Sequence, residues 1–461
     1  NDRTKKLNGF KFEKVGNNLN EFYKNTLPFE LTGDQKKVIK EIRNDFRNGK
    51  QMNRLLQGDV GSGKTIVSLM IMLIAIDNSF QSCILAPTEI LANQHFKSLS
   101  ELLIDYDVKV DLLTGSSKAR ERNLIHSDLL SGKTNILVGT HAILEDVVQF
   151  KNLGLSIIDE QHRFGVAQRA KLWKKNNPAP HILVMTATPI PRTLAMSLYG
   201  DLDISYIKEL PPGRISTKTV HKYDRNRLSV FKFLKDQITK GRQVYLVYPL
   251  INESEKLDYK DLMDGYESIV REFPRPDFQV SIVHGKMKAK DKDYEMKRFI
   301  NKETQILVST TVIEVGVNVP NASVMVIESA ERFGLSQLHQ LRGRVGRGND
   351  ESFCVLMTKD KLSEDSKLRI ETMVKVSDGF KIAEVDLKLR GPGDMLGTRQ
   401  SGMLKFKLAD IIYDTEILNN ARNSAIKILK TDPRLNKNEN LPIRDEISSS
   451  SNSKNLWRYI S

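Results

Sequence analysis

The sequence predicts an α/β protein in which two parallel-sheet lobes are followed by a mostly helical C-terminal region. Three observations support this fold class. Short apolar runs alternate with helix-period segments between residues 54 and 185, and again between residues 243 and 357. A glycine-rich stretch at residues 58–65 stands between an apolar pair and a long apolar run. After Lys359 the strand pattern fades.

The strand-like runs are nearly continuous in apolar residues, which is typical of parallel strands covered by helices on both faces. The first lobe contains Arg54–Gln57, Ser82–Ala86, Asn135–Gly139, Ser156–Ile158 and His181–Met185, and the second contains Gln243–Tyr248, Gln279–Val283, Gln305–Ser309, Ser323–Ile327 and Ser352–Met357. Residues 66–76 and 90–103 have helical patterns.

Four parts follow from this pattern. Residues 1–26 are polar and read as a connector, residues 27–212 and 213–360 form the two lobes, and residues 361–461 are mostly helical. The Pro- and Gly-rich turn at residues 210–213 separates the lobes. A loop is predicted at Arg390-Gly-Pro-Gly-Asp394 within the helical part. Because the chain begins with Asn1 rather than Met, we expect it to be a fragment.

Composition narrows the class of protein. A hydrophobic content of 39% and a charged content of 28% fit a soluble globular protein, and no apolar run reaches membrane-spanning length. Cys83 and Cys354 lie in apolar runs and are expected to be buried reduced thiols of a reducing cytosol. The net charge of +14 favours a polyanionic partner.

The glycine-rich stretch carries the clearest chemistry. A strand, a glycine-rich loop and a helix in this order form a phosphate-binding loop, whose N–H groups surround a triphosphate. We expect Lys64 to lie against the β and γ phosphates and the Thr65 hydroxyl to hold Mg²⁺. The residues predicted to bind the phosphates are Gly58, Gly61, Ser62, Gly63, Lys64 and Thr65.

Two carboxylates directly follow the apolar run that ends at residue 158. Asp159 is placed to complete the Mg²⁺ site opposite Thr65, and Glu160 to deprotonate the attacking water. The alternative is an acidic pair that caps a turn or a helix. The glycine-rich loop earlier in the chain favours the catalytic interpretation.

For two further segments, both a catalytic and a purely structural interpretation are open. Thr186 and Thr188 end the next strand, where their hydroxyls could respond to the γ-phosphate or form an ordinary Pro-terminated turn. Arg344 and Arg347 stand three residues apart among glycines, so on a helix they share one face. They could stabilise charge on the transferring phosphate, or belong to a solvated basic helix or a phosphate-backbone contact.

Taken together, these segments resemble motifs I, II, III and VI of the superfamily 2 helicases, which implies two tandem RecA-like lobes. The resemblance adds an adenine-reading motif at Phe29 and Gln35, and it places Gln340 with the catalytic arginines. It also implies contacts of motifs Ia, Ib, Ic, III and V with DNA or with the coupling machinery. The residues concerned are Pro87, Thr88, Thr114, Gly115, Thr140, His141, Thr186, Thr188, Thr310 and Thr311.

Longer segments resemble the RecG family of replication-fork helicases, over residues 27 to about 430. They are residues 159–166, 189–193, 199–203, 330–339 and 378–402. The last segment resembles a helical hairpin and loop shared with the transcription-repair coupling factor, and it implies that Arg399 and Gln400 couple lobe closure to movement of double-stranded DNA. Asn318 stands where that family usually has Asp, and the family's N-terminal wedge domain is not represented.

The resemblance implies an ATP- and Mg²⁺-dependent motor that remodels branched DNA, including stalled forks and Holliday junctions. It further implies a monomer in the bacterial cytoplasm at the nucleoid, with single-stranded DNA-binding protein as a partner. A coupling-factor motor is the nearest alternative, against which Gln161 and residues 398–400 argue. A non-enzymatic nucleic-acid binding module with a decayed motor and an RNA helicase are the others.

Overall fold

A computed structural model describes most of the chain. The described residues are 8–27, 29–160, 171–188, 202–211, 216–249, 255–310, 319–346, 348, 350–395 and 414–449. Four residues predicted for the site, Thr311, Arg347, Arg399 and Gln400, lie outside these ranges, as do Gln161 and Asn318.

The first lobe is built on a seven-stranded parallel sheet. Its strands are β1 (Asn53–Gly58), β2 (Gln81–Leu85), β3 (Val110–Leu113), β4 (Ile136–Gly139), β5 (Leu153–Ile158), β6 (His181–Thr186) and β7 (Asp203–Ile207). They lie in the order β3-β4-β2-β5-β6-β1-β7. Because all of these strands are parallel, their carboxyl ends meet at one edge, where ligands of open α/β sheets bind.

Helices cover both faces of this sheet. They are α2 (Gly33–Arg47), α3 (Lys64–Asp77), α4 (Glu89–Leu102) and α5 (Ala119–Ser131). Helix α3 is buried around nearly its whole circumference, from Val67 to Ala75, as its continuous apolar sequence requires. Helix α2 begins with a capping box, in which the side chains of Thr32 and Gln35 each bond to the other's backbone N–H.

The polar N-terminal segment packs on this lobe. It contains helix α1 (Asn17–Glu21) and a π-helical turn, Phe22–Thr26. The side chains of Phe12 and Phe22 are fully buried in the core that α2 and α3 share. At the end of α3, the Asp77 carboxylate accepts hydrogen bonds from the backbone N–H groups of Gly16, Asn18 and Leu19. These contacts fix the segment against the lobe.

The second lobe repeats the plan with six parallel strands. They are β8 (Lys218–Tyr223), β9 (Gln243–Val247), β10 (Val280–Val283), β11 (Ile306–Ser309), β12 (Ala322–Ile327) and β13 (Phe353–Thr358), in the order β10-β11-β9-β12-β13-β8. The helices are α6 (Arg227–Thr239), α7 (Glu255–Glu272), α8 (Ala289–Ile300) and α9 (Leu335–Arg342). The predicted class of two parallel-sheet lobes is confirmed.

The C-terminal part is helical, as predicted. Its helices are α10 (Glu364–Lys375), α11 (Gly379–Met395), α12 (Thr415–Thr431) and α13 (Leu441–Ser449). The predicted loop at Arg390–Asp394 is wrong, because α11 continues to Met395. Burial of Ile382, Ala383 and Leu387 anchors the earlier turns of α11. Packing of these turns offsets the cost of placing Gly and Pro in a helix, about 1 kcal/mol and about 3 kcal/mol per residue relative to Ala.

Each predicted strand is present, within one to three residues at either end. The sequence did not predict β3, β7 and β8, and all three are edge strands. Both cysteines are free and buried, and burial raises the pKa of Cys83 to about 11 and that of Cys354 to about 12. Among the described residues, no helix is long and apolar enough to cross a lipid bilayer.

Candidate functional site

The glycine-rich loop joins the carboxyl end of β1 to the first residue of α3. Gly63 precedes the helix with φ 86°, and a side chain there would collide with the Gln35 amide, 2.2 Å from the Cβ position. Only glycine satisfies both conditions. The loop therefore places the N-terminus of α3, with its exposed N–H groups and partial positive charge, where a phosphate can bind.

Lys64 bends back over this loop. Its Nζ donates hydrogen bonds to the carbonyl oxygens of Gly58, at 2.7 Å, and Asp59, at 2.9 Å. The Ser62 side chain is buried. Its backbone carbonyl accepts a hydrogen bond of 2.9 Å from the Gln35 side-chain amide. Gln35 thus holds the loop from behind while its amide oxygen accepts from the Thr32 N–H.

Of the two residues predicted to bind adenine, Phe29 lines the cavity and Gln35 is buried behind the loop. Phe29 lies in the wall of the cavity beside the loop. Gln35 is fully buried, and both ends of its amide bond to the protein itself. A contact between Gln35 and adenine stays a prediction.

The two predicted carboxylates follow β5 and differ in their electrostatics. Burial by itself raises the pKa of Asp159. The hydrogen bond from His95 and the positive charge of Lys64 outweigh burial and hold that pKa below its usual range. For Glu160, burial and the negative charge of Asp159 raise the pKa to about 7. Its backbone has φ 53°, in the left-handed region that residues other than glycine seldom adopt. A carboxyl that titrates near neutral pH is suited to general-base catalysis.

These groups face one cavity of about 960 Å³ between the lobes. Gly61, Gly63, Lys64, Thr65, Asp159 and Glu160 line it from the first lobe. Pro320, Arg344, Gly346 and Gly348 line it from the second lobe. Its size lies within the range of small-molecule sites.

Thr65 and Asp159 fit Mg²⁺, although a metal ion is not part of the structure. Mg²⁺ in phosphate-processing sites is usually bound by one or two protein oxygens, with phosphates and water completing the shell. A hydroxyl and a carboxylate held below its usual pKa, both in the wall of one cavity, provide such a donor set.

Arg344 follows α9 and is 6% exposed. It lies in the cavity wall, and its charge lowers the pKa of Glu160 against the stronger effect of burial. Gln340 is buried within α9. The neighbouring Arg342 has a different position: it donates to the backbone carbonyls of Met373 and Val376 and to the ring of His339.

The predicted nucleic-acid contacts of the first lobe share one part of the sheet edge. They follow strands β2, β3 and β4, which are neighbours, and they comprise Pro87, Thr88, Thr114, Gly115, Thr140 and His141. Thr88 caps α4, and Glu89 accepts from the backbone and side chain of Ser116, which ties two of the segments together. His141 is exposed.

Hydroxyl groups at both lobes are candidates for phosphate contacts. Thr140 and Thr310 are buried, and within the described part of the chain their Oγ1 atoms have no hydrogen-bond partner. Thr186 and Thr188 instead bond to each other, with 2.8 Å between the two Oγ1 atoms. The last pair is therefore arranged as a hydroxyl turn at the end of β6.

Contacts between the lobes include a residue of the phosphate loop itself. The Asp59 carboxylate accepts hydrogen bonds from the His339 ring, at 2.8 Å, and from the backbone N–H of Gly379, at 3.4 Å. Gly379 is the first residue of α11. Nearby, the rings of Tyr206 and Phe380 are in edge contact. The loop is thus joined to α9 and to the C-terminal helices.

Sequence reasoning did not find the roles of His95, Asp59 and His339. Their partners are 64 and 280 residues away in the chain, so no local motif contains both. One signal was available for His95. It is a polar residue in the buried stripe of α4, which otherwise consists of Leu91, Ala92 and Leu99.

Three family profiles match the chain in succession. The DEAD/DEAH box helicase family matches residues 32–197, and the helicase conserved C-terminal domain matches residues 229–349. The profile described as ATP-dependent DNA helicase RecG, domain 3, C-terminal, matches residues 376–461.

Curated relatives and solved structures agree with these profiles. The ATP-dependent DNA helicase RecG of Synechocystis sp. is 49% identical over 426 residues, which cover 92% of this chain and 51% of that protein. Its counterpart in Bacillus subtilis is 48% identical, with 92% and 61% covered. A structure of RecG bound to a three-way DNA junction matches with a TM-score of 0.75 at 43% identity, covering 90% of this chain and 54% of that one.

More distant structures share the fold alone. Yeast Dbp5 bound to RNA and ADP BeF3 matches 81% of this chain and 97% of its own with a TM-score of 0.57 at 16% identity. The chain spans about half to three-fifths of the length of the curated relatives it matches. The profiles in chain order, the identities near one half and the shared two-lobe fold show that this chain belongs to the RecG family of DNA helicases.

Proposed function

We propose that this chain is an ATP-driven motor that moves on double-stranded DNA and acts on branched DNA. One observation carries the proposal. Lys64, Asp159 and Glu160 of the first lobe and Arg344 of the second face a single cavity between the lobes. A site divided in this way changes shape when the lobes move, so nucleotide turnover and lobe movement are linked.

The residues act on the nucleotide in distinct ways. The loop N–H groups and Lys64 bind the phosphates, and Phe29 lies where a base can stack. Thr65 and Asp159 would hold Mg²⁺, which neutralises phosphate charge when bound. Glu160 takes the proton of the attacking water, and Arg344 stabilises the charge that develops on the transferring phosphoryl group. Arg347 and Gln340 belong to the same proposed arginine segment.

The DNA side of the proposal rests on the sheet edge and on the relatives. Hydroxyls and backbone N–H groups after β2, β3, β4 and β11 provide phosphate contacts without base recognition, which suits a motor that moves along any sequence. A RecG relative has been solved on a three-way DNA junction. We assign Arg399 and Gln400 to the coupling of lobe movement to duplex DNA. A single chain supplies both lobes of the cleft, so a monomer could act as the motor on nucleoid DNA.

Steady-state ATP hydrolysis tests the proposal. Turnover is measured without nucleic acid and with duplex DNA, forked DNA or RNA, and Lys64→Ala serves as the control. We expect duplex and forked DNA to stimulate turnover strongly, and the stimulation to vanish in Lys64→Ala. Stimulation by RNA alone would indicate an RNA helicase, and the absence of turnover on every substrate would support a binding module.

A further inference from the structure

The buried stripe of helix α4 contains one polar residue, His95, which also lines the nucleotide cavity. His95 lies two turns after the first residue of α4, and its side chain is 9% exposed. Its Nε2 atom is 2.9 Å from Oδ2 of Asp159, which is 64 residues later in the chain. This contact joins α4 to the end of β5, at the carboxylate assigned to Mg²⁺.

The chemistry of the pair sets the direction of the hydrogen bond. An ionised carboxylate accepts hydrogen bonds and donates none, so in this 2.9 Å contact the proton lies on His95 Nε2. The other carboxylate oxygen, Oδ1, accepts from the backbone N–H of Glu160 at 3.1 Å. Two donors on two different oxygens fix the rotation of the carboxylate group. Each oxygen keeps a lone pair with which to bind a cation.

We propose that His95 is a positioning residue that orients the Asp159 carboxylate for Mg²⁺. The inference rests on the proposed function of Asp159 as a Mg²⁺ ligand. Mg²⁺ requires near-ideal octahedral geometry, so a carboxylate that rotates freely binds it poorly. Partners that hold a ligand in place typically change metal affinity by about 10- to 100-fold when they are removed.

Two substitutions separate the hydrogen bond from the volume of the ring. In His95→Gln, the side-chain amide nitrogen can occupy the place of Nε2 and still donate to Asp159. In His95→Asn, the shorter amide reaches only the place of Nδ1, so the bond to Asp159 is lost. Both variants are neutral and polar, which makes each a control for the other.

The measurement is the Mg²⁺ concentration that half-saturates binding of a fluorescent, non-hydrolysable ATP analogue to the full chain. We expect His95→Asn to raise it about 10- to 100-fold and His95→Gln to stay close to the unsubstituted protein. Binding of the analogue without Mg²⁺ and the thermal midpoint show that each variant is folded. Equal behaviour of the two variants, whether normal or impaired, would overturn the proposal.

Asp159→Ala distinguishes this inference from the proposed function. If Asp159→Ala leaves the Mg²⁺ requirement unchanged, the assignment of Asp159 itself is wrong. If Asp159→Ala raises the half-saturating concentration and His95→Asn does not, only the role of His95 fails. We expect His95→Asn to have no further effect in the Asp159→Ala background, because its action passes through that carboxylate.

Discussion

Glu160 illustrates how much a single environment changes a carboxyl group. Burial and the charge of Asp159 raise its pKa to about 7, whereas its neighbour Asp159 stays ionised. This difference is what the proposed division into a metal ligand and a general base requires. We expect Glu160→Gln to bind the ATP analogue normally and to lose DNA-stimulated turnover by about 10²- to 10⁴-fold, since Gln cannot take a proton. The check is kcat with duplex DNA, and normal turnover would show that another group is the base.

Arg342 and Arg344 show that position, not charge alone, decides what an arginine does. Arg344 faces the cavity, whereas Arg342 donates to carbonyls in the turn between α10 and α11. We expect Arg344→Ala to lower kcat by about 10³-fold or more, as for arginines that stabilise phosphoryl transfer.

Arg342→Ala is the matched control for that experiment. The Arg342→Ala substitution leaves buried carbonyl groups without their charged donor, so we expect a lower thermal midpoint. The free energy of unfolding should fall by about 1.5–3 kcal/mol for each hydrogen bond to the charged group that is lost. If Arg344→Ala lowered stability as much as Arg342→Ala and left kcat unchanged, Arg344 would have a structural role only.

At the scale of elements, the sequence identified every interior strand of the two described sheets and missed three of their four edge strands, β3, β7 and β8, whereas the fourth, β10, was predicted. An interior strand has neighbours on both sides and helices on both faces, so it reads as an apolar run. The edge strand β8 is alternately exposed and half-buried along its length, and β3 and β7 are only partly buried. These strands lack the apolar run, although their backbones pair in the same way.

For the candidate site, too, the sequence predicted local features and missed those that depend on tertiary packing. Motifs that lie within a few residues, such as the loop at 58–65 and Asp159-Glu160, could be assigned from the sequence. Contacts that join distant elements, such as His95 with Asp159, depend on where α4 packs on the sheet, over β3 and β4, which no local pattern encodes. The loop predicted at residues 390–394 failed for a related reason, since packing of the earlier turns carries α11 through it.

The junction between the N-terminal segment and the first sheet depends on a neutral histidine. The ring of His181, at the start of β6, accepts from the Met52 N–H through Nδ1 and donates to the Phe10 carbonyl through Nε2, each at 2.9 Å. Burial lowers its pKa from 6.5 to about 4. Protonation would remove the acceptor for Met52, so the folded state favours the neutral ring.

The sign of the pH dependence follows from this shift. Between pH 6.5 and pH 4 the unfolded chain binds a proton at His181 that the folded chain does not, so this contribution to stability is complete above pH 6.5 and is lost on acidification. We expect it to make the free energy of unfolding about 2 kcal/mol smaller at pH 5 than at pH 7. The side chain in His181→Gln does not titrate. Urea unfolding of this variant at pH 7 and pH 5 should therefore give free energies of unfolding whose difference is about 2 kcal/mol smaller than in the unsubstituted protein. An unchanged difference would contradict the assignment.

At the scale of the whole molecule, a phosphate-loop residue takes part in the contact between the lobes. Asp59 accepts from His339, and His339 in turn accepts from Arg342, whose guanidinium bonds to the turn before α11. A change in the loop on nucleotide binding would therefore act directly on this junction. Burial tends to raise the pKa of Asp59, but the hydrogen bonds from His339 and from the Gly379 N–H, together with the charge of Lys64, keep it below its usual range.

Substitutions at His339 test whether this junction sets the lobe arrangement. His339→Asn keeps a polar group near Arg342 and cannot reach Asp59, whereas His339→Gln can reach Asp59. A hydrogen bond to a charged group is worth about 1.5–3 kcal/mol, so we expect His339→Asn to shift the equilibrium towards separated lobes by about 10- to 100-fold. His339→Gln should resemble the unsubstituted protein.

Energy transfer between dyes on the two lobes measures that equilibrium. Lys133 and Lys240 are exposed, one on each lobe, and can be replaced by cysteine for labelling. The native thiols of Cys83 and Cys354 are buried and their raised pKa keeps them protonated at neutral pH, so the dyes react at the introduced sites. In the unsubstituted protein we expect one population of molecules with high energy transfer, in which the lobes are in contact. In His339→Asn it should be replaced by a population with low energy transfer, in which the lobes are separated. If both His339 variants kept the high-transfer population, contacts other than Asp59–His339, such as Tyr206 with Phe380, would hold the lobes.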